Sequence, residues 1–126
     1  MKTKKILKFT LFCSVAVVLL ISACSSGGSG NGSSVTVSWN ANKDMTVNST
    51  GGGYIVYYSN QQGFDTSAAS GSVDVPYLSG ASAPTSTTLS LSNGKWYIRV
   101  VAYGNSVSSS KTYSSASSEY AIQVGN

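Results

Sequence analysis

The 126-residue chain has no histidine, only two prolines and two cysteines, and only 10% charged residues. Each scarcity excludes something. Without imidazole the commonest general base and metal ligand is gone. Both cysteines, Cys13 and Cys24, lie near the start, so no thiolate–imidazole zinc set can form in the body of the chain. The four acids, Asp44, Asp65, Asp74 and Glu119, fall in separate segments and do not cluster as a Ca²⁺ loop requires. Serine is abundant, but a serine nucleophile needs a base, and beyond the first residues only Lys43, Lys95 and Lys111 offer one. There is no Gly-x-Ser-x-Gly elbow, and Gly51-Gly52-Gly53 lacks the lysine and spacing of a phosphate loop. The sequence therefore predicts no enzyme, no cofactor and no metal.

The formal charge of +4 resides at one end. Lys2, Lys4, Lys5 and Lys8 precede the apolar run Phe9 to Ala23, and the remaining cations balance the acids. A neutral body with scattered cations has no electrostatic footprint for nucleic acid. A nearly unbroken apolar run of fifteen residues is short of the ~20 that span a bilayer as a helix. With the basic flank they fit a secretory signal peptide over residues 1–23. Directly after it, Ile21-Ser22-Ala23-Cys24 resembles a bacterial lipobox. The resemblance implies cleavage before Cys24, a thioether-linked diacylglycerol on its sulfur, and acylation of the new amine, as with palmitate. Two or more acyl chains hold a protein stably on a membrane, because each buried methylene contributes ~0.8 kcal/mol. The alternatives are a secreted protein cut nearby and an uncleaved signal anchor. Both would leave Cys24 as a lone thiol in an oxidising compartment. The implied location is the bacterial cell envelope: the outer membrane in a diderm, where Ser25 rather than aspartate follows the cysteine, and otherwise the outer face of the cell membrane.

Residues 24–34 read as the lipidated cysteine and a Ser/Gly-rich tether, since Ser25 to Ser34 carries no apolar side chain. A ten-residue coil of this kind spans roughly 15–20 Å. From residue 35 to 126 the dominant period is two. Val35, Val37 and Trp39 alternate with polar residues, as do Tyr54, Val56 and Tyr58 with Ile55 and Tyr57. Val73, Val75 and Tyr77 continue the pattern weakly beside Pro76, which predicts an edge strand. Thr85 to Leu91 alternates up to the turn signal Asn93-Gly94. Trp96, Ile98, Val100 and Ala102 then share one face, and Tyr97, Arg99, Val101 and Tyr103 the other; Tyr120, Ile122 and Val124 close the chain. Six short strands with turn chemistry between them predict an all-β, antiparallel β-sandwich.

In order, Val35-x-Val37-x-Trp39, Gly53-Tyr-Ile-Val-Tyr-Tyr58 and Leu91-Ser-Asn-Gly-Lys-Trp-Tyr-Ile-Arg-Val-Val-Ala-Tyr103 resemble a fibronectin type III domain. They are closest to bacterial variants reading roughly GYxVYY and GTYYxxVxAY in their third and sixth strands. The resemblance covers about ninety residues. It implies an Ig-like sandwich in which Trp39, Tyr54 and Val56 point inward and Leu91 packs under a corner. The chain departs from the family in three ways. Trp96 stands where the corner tyrosine belongs, so the corner hydrogen bond is either missing or shifted to the indole N–H. The first strand is unrecognisable, and segments 40–53, 60–84 and 104–118 are long.

Fibronectin type III folds are mostly spacers and binding modules, and fold alone does not fix function. Two surfaces stand out. If no loop covers it, the outward face of the third and sixth strands presents Ile55, Tyr57, Tyr97, Arg99, Val101 and Tyr103 as one aromatic–aliphatic patch; residues 60–84 could instead fold over it. Segments 40–53 and 104–117 emerge at one end as long loops, with Lys111 and Tyr113 as the contacts there. The expected function is a membrane-anchored lipoprotein whose module binds a protein or carbohydrate without catalysis. The alternative is a structural spacer or envelope-complex assembly subunit with no soluble ligand.

Overall fold

A computed structural model describes residues 32–105 and 110–125. The signal peptide over 1–23, the lipidation site Cys24 and the tether as far as residue 31 lie outside the described residues. Seven strands follow in order: β1 Gly32–Ser38, β2 Gly53–Ser59, β3 Gly71–Pro76, β4 Ser86–Ser92, β5 Gly94–Asn105, β6 Lys111–Tyr113 and β7 Tyr120–Val124. β1 pairs with β4 as a small sheet. The larger sheet runs β3-β2-β5, with β6 and β7 both paired along β5. Every pairing is antiparallel. The architecture is an all-β sandwich of the Ig-like kind, as the period of two predicts.

The core is the set of inward positions. Val37, Leu89 and Leu91 of the small sheet face Tyr54, Val56, Ile98, Val100, Ala102, Ile122 and Val124 of the large one, and all are buried. Trp39, just past β1, is 3% exposed and packs on Tyr54 at a tilt of 47° with ring centroids 5.2 Å apart. Fully burying a side chain of this size stabilises by about 1.5–3 kcal/mol, so these alternating residues fix which face of each strand turns inward. A one-residue slip would expose the whole set.

One end of the sandwich is a tight corner, where only Asn93 separates β4 from β5. There the Trp96 indole N–H donates to the Ser92 carbonyl at 2.9 Å. Of the two alternatives the sequence left open, the hydrogen bond is kept and carried by the indole. The opposite end, the loop end, gathers the segments 39–52 and 77–85.

Two boundaries depart from expectation and one meets it. β1 begins at Gly32, so residues 32–34 belong to the strand and not to the tether; Gly32, Ser33 and Ser34 pair with Ser92, Leu91 and Ser90. A backbone ladder needs no apolar side chain, which is why composition alone hid them. β3 ends on Pro76 and is an edge strand, as expected. The segment 104–117 is not one long loop: β5 extends to Asn105, and Lys111–Tyr113 is a strand paired with it.

Candidate functional site

Parity places Ile55, Tyr57, Tyr97, Arg99, Val101 and Tyr103 together on the outer face of the large sheet. Ile55 stands opposite Val101, Tyr57 opposite Arg99, and Gly53 opposite Tyr103. The face is assembled as expected, but it is not open. Tyr97, Val101 and Tyr103 are buried at 7%, 6% and 2% exposure, and Ile55, Tyr57 and Arg99 are half-buried. Of the two alternatives, an open patch and a face that other segments cover, the burial fits the covered one, with three of the six side chains buried and three half-buried.

Tyr103 shows how the layer closes. A Cβ on Gly53 would come within 2.8 Å of the Tyr103 hydroxyl and 2.7 Å of Pro76, so only glycine lets this ring cross β2. Beyond Gly53 the hydroxyl donates to Asp74 Oδ1 on β3 at 2.7 Å. From the other side Lys111 Nζ sits 4.3 Å from the ring centroid, and the Tyr113 ring lies 6.1 Å away. Burial first, and then the bond to the Asp74 carboxylate, push the Tyr103 phenol well above its ordinary pKa. It remains a neutral hydrogen-bond donor.

Arg99 is held in place. Its guanidinium lies 5.6 Å from the Phe64 ring centroid, 3.5 Å from Glu119 Oε2, and within 3.4 Å of the Ser117 carbonyl. Glu119 Oε2 also accepts the Gly63 N–H at 2.7 Å, which ties the 60–70 connection to the residue just before β7. Within that connection Asp65 accepts the backbone N–H and the hydroxyl of Ser67, and these bonds hold its carboxyl below the usual range. Residues 60–84 thus contribute Phe64 and Asp74 to the closure of the outer face.

The rest of the border comes from the break between β6 and β7. From Tyr103 to Ile98 β5 takes five steps, while the facing chain from Tyr113 to Tyr120 takes seven. Two residues are therefore extra and bulge. Ser114 and Ser117 repair the ladder: each donates its N–H to β5, to Ala102 and Val100 respectively, at 2.9 Å. Each hydroxyl accepts the N–H of the same β5 residue at 3.0 Å. These serines complete the sheet. The spacing Ser114-x-x-Ser117 was the available signal, and it was lost in a serine-rich background.

At the loop end, segment 39–52 is a fixed structure. The Tyr54 hydroxyl, at the end of a fully buried side chain, accepts the Asn42 N–H at 2.6 Å and reaches Asn48 Oδ1 at 3.4 Å. The Asn48 amide donates to the Asn42 carbonyl. Asp44 Oδ1 accepts the N–H and the hydroxyl of Thr46, and Val47 plugs the core at 0% exposure. Backbone of Thr46 and Val47 lies so close to Gly52 that any side chain there would collide.

Among the described residues three large apolar side chains are strongly exposed: Met45 at 83%, Leu78 at 67% and Tyr113 at 57%. All three belong to the loop end. Met45 lies in segment 39–52 and Leu78 in segment 77–85. Tyr113 sits on β6, so it and the exposed Lys111 form a sheet border and not a loop tip. Sequence reasoning missed Met45 and Leu78. Their signal was a single large apolar residue inside an otherwise polar connection.

Among the described residues no group of three or more histidine, cysteine or acidic side chains could hold a metal ion. Comparison of the chain with protein-family models, with curated proteins and with solved structures finds no match.

Proposed function

We propose that this chain is a bacterial lipoprotein, moored to a membrane of the cell envelope through Cys24, whose fibronectin type III-like module binds a protein or carbohydrate partner without catalysis. The observation that carries this reading is the polarity of the sandwich. β1 begins beside Ser92 at the corner end, and Met45, Leu78 and Tyr113 are displayed at the opposite end. Seven strand residues at about 3.3 Å each separate the two by roughly 23 Å. A module held from its N-terminus therefore turns its exposed apolar side chains away from the lipid. Loops on a rigid scaffold are a common place for recognition, and apolar or aromatic groups with a polar rim suit a protein surface or a sugar ring.

Non-enzymatic action fits the fate of the reactive side chains. Tyr103, Asp74, Arg99, Glu119, Ser114 and Ser117 are all consumed in bonds that build the fold. The test has two arms. Cys24→Ala should move the protein from the membrane to the soluble fraction, and Met45→Ser/Leu78→Ser/Tyr113→Ser should abolish the wild type's signals on protein and glycan arrays. A C24A variant that stays membrane-bound, or array signals unchanged in the triple variant, would overturn the corresponding half.

A second reading, an assembly subunit, has one observation in its favour: the uncharged, proline-free outer edge of β4.

A further inference from the structure

The sheet borders are protected unequally. An edge strand exposes unpaired N–H and C=O groups that can template pairing with another chain, and proteins blunt such edges with charge, proline or bulges. On the large sheet one border, β3, carries Asp74 and ends on Pro76. The opposite border is a three-residue strand with Lys111, followed by the double bulge around Ser114 and Ser117. On the small sheet both borders lack these devices: β1, Gly32-Ser-Ser-Val-Thr-Val-Ser38, which opens the described residues, and β4, Ser86-Thr-Thr-Leu-Ser-Leu-Ser92, which has described chain on either side. β4 pairs with β1 over seven residues in unbroken register, with no charge and no proline.

Which of its backbone groups are free follows from the ladder. The Trp39 N–H donates to the Thr85 carbonyl at 2.8 Å, in the same register as β1–β4. Antiparallel alternation then turns the N–H and C=O of Thr87, Leu89 and Leu91 toward β1, and those of Ser86, Thr88 and Ser90 toward the open side. Among the described residues nothing bonds to these outward groups. The side chains of Ser86, Thr88, Ser90 and Ser92 are exposed as well.

We infer that the open edge of β4 pairs antiparallel with β4 of a second copy of this chain, joining two small sheets into one four-stranded sheet. Backbone groups set this way accept only an extended strand. The edge's own sequence selects itself. About a two-fold axis at Leu89, Leu89 meets Leu89, Thr87 meets Leu91, and Thr88 meets Ser90. Apolar positions fall on the core side, hydroxyls on the solvent side, and no like charges meet. The outward-pointing residues Thr88 and Ser90 become the mutually hydrogen-bonded pair, as an isologous interface requires. The inference depends on neither the anchor nor the loop end.

The test uses the full chain purified in detergent, its protein mass followed by light scattering as concentration rises. Wild type should pass from monomer to twice that mass, with amide exchange at Thr88 and Ser90 slowing in parallel. Thr88→Ala, which keeps the backbone donor, should dimerise as wild type. Thr88→Pro removes an N–H that the monomer does not use and should remain monomeric with its circular dichroism unchanged. If T88P fails to fold, Thr88→Lys/Ser90→Lys serves instead, since it places cations along the edge and should also stay monomeric. A wild type that is monomeric throughout, or a dimer that survives T88P or the double lysine variant, overturns the inference.

Discussion

At the corner end of the sandwich a single residue, Asn93, carries the chain from one sheet to the other, and one indole hydrogen bond from Trp96 to Ser92 secures the step. The same end also carries the 60–70 connection, tied down by Phe64 against Arg99 and by the Gly63 N–H on Glu119. At the loop end two longer described connections meet, and one of them is organised by buried groups: Val47 in the core and the Tyr54 hydroxyl beneath Asn42 and Asn48. The loop end needs its own network, and it spends none of that network on Met45, Leu78 or Tyr113, which remain exposed. A rigid loop that leaves large apolar groups in water has the form of a surface set up for contact.

The sharpest way to break the contrast lies within segment 39–52. Val47→Asp would bury an uncompensated charge and should cost about 3–5 kcal/mol, whereas Met45→Asp, two residues away, should stay within about 0.5 kcal/mol of wild type. Urea denaturation of both variants checks this. Next in size, Tyr54→Phe strands the Asn42 N–H and should cost about 1–3 kcal/mol, with faster amide exchange at Asn42 and unchanged exchange at Ile98. Trp96→Phe removes the corner bond to an exposed carbonyl and keeps an aromatic ring beside Tyr58. It should cost about 0.5–1.5 kcal/mol, with the loss read at the β4–β5 corner.

The smallest effect at neutral pH and the most specific at high pH belongs to Tyr103. Its folded pKa is raised, so the native state keeps a proton that the unfolded chain loses above about pH 10, the ordinary tyrosine value. The contribution is fully present below that pH and declines as pH rises through and beyond it. Denaturant midpoints should therefore fall more steeply above pH 10 in wild type than in Tyr103→Phe. Equal slopes would show that neither burial of the phenol nor its bond to Asp74 contributes to this dependence.

Much of the fold was legible because alternation is a strong signal wherever one strand face is buried. Tyr54/Val56 and Ile98/Val100/Ala102 point inward as the pattern requires. The membership of the outer face was legible from the same parity, but its closure was not. Closure depends on Phe64, Asp74 and Glu119, which come from three different segments and carry no period. Strand β6 was hidden for a related reason: three residues, Lys-Thr-Tyr, are too few to show alternation, and their pairing is fixed by Tyr103 and Asn105 across the ladder. Gly32 to Ser34 pair through backbone alone, so polar composition concealed them.

The account rests on a module held at its corner end and facing outward at its loop end. The most direct measurement places a fluorophore at Met45→Cys or at Gln123→Cys of the full chain in lipid vesicles that carry a lipid-attached quencher. Gln123 pairs with Lys95 beside the corner, and Met45 lies at the far end. The account predicts strong quenching at position 123 and weak quenching at position 45. Equal quenching at both positions, or none at either, would contradict it.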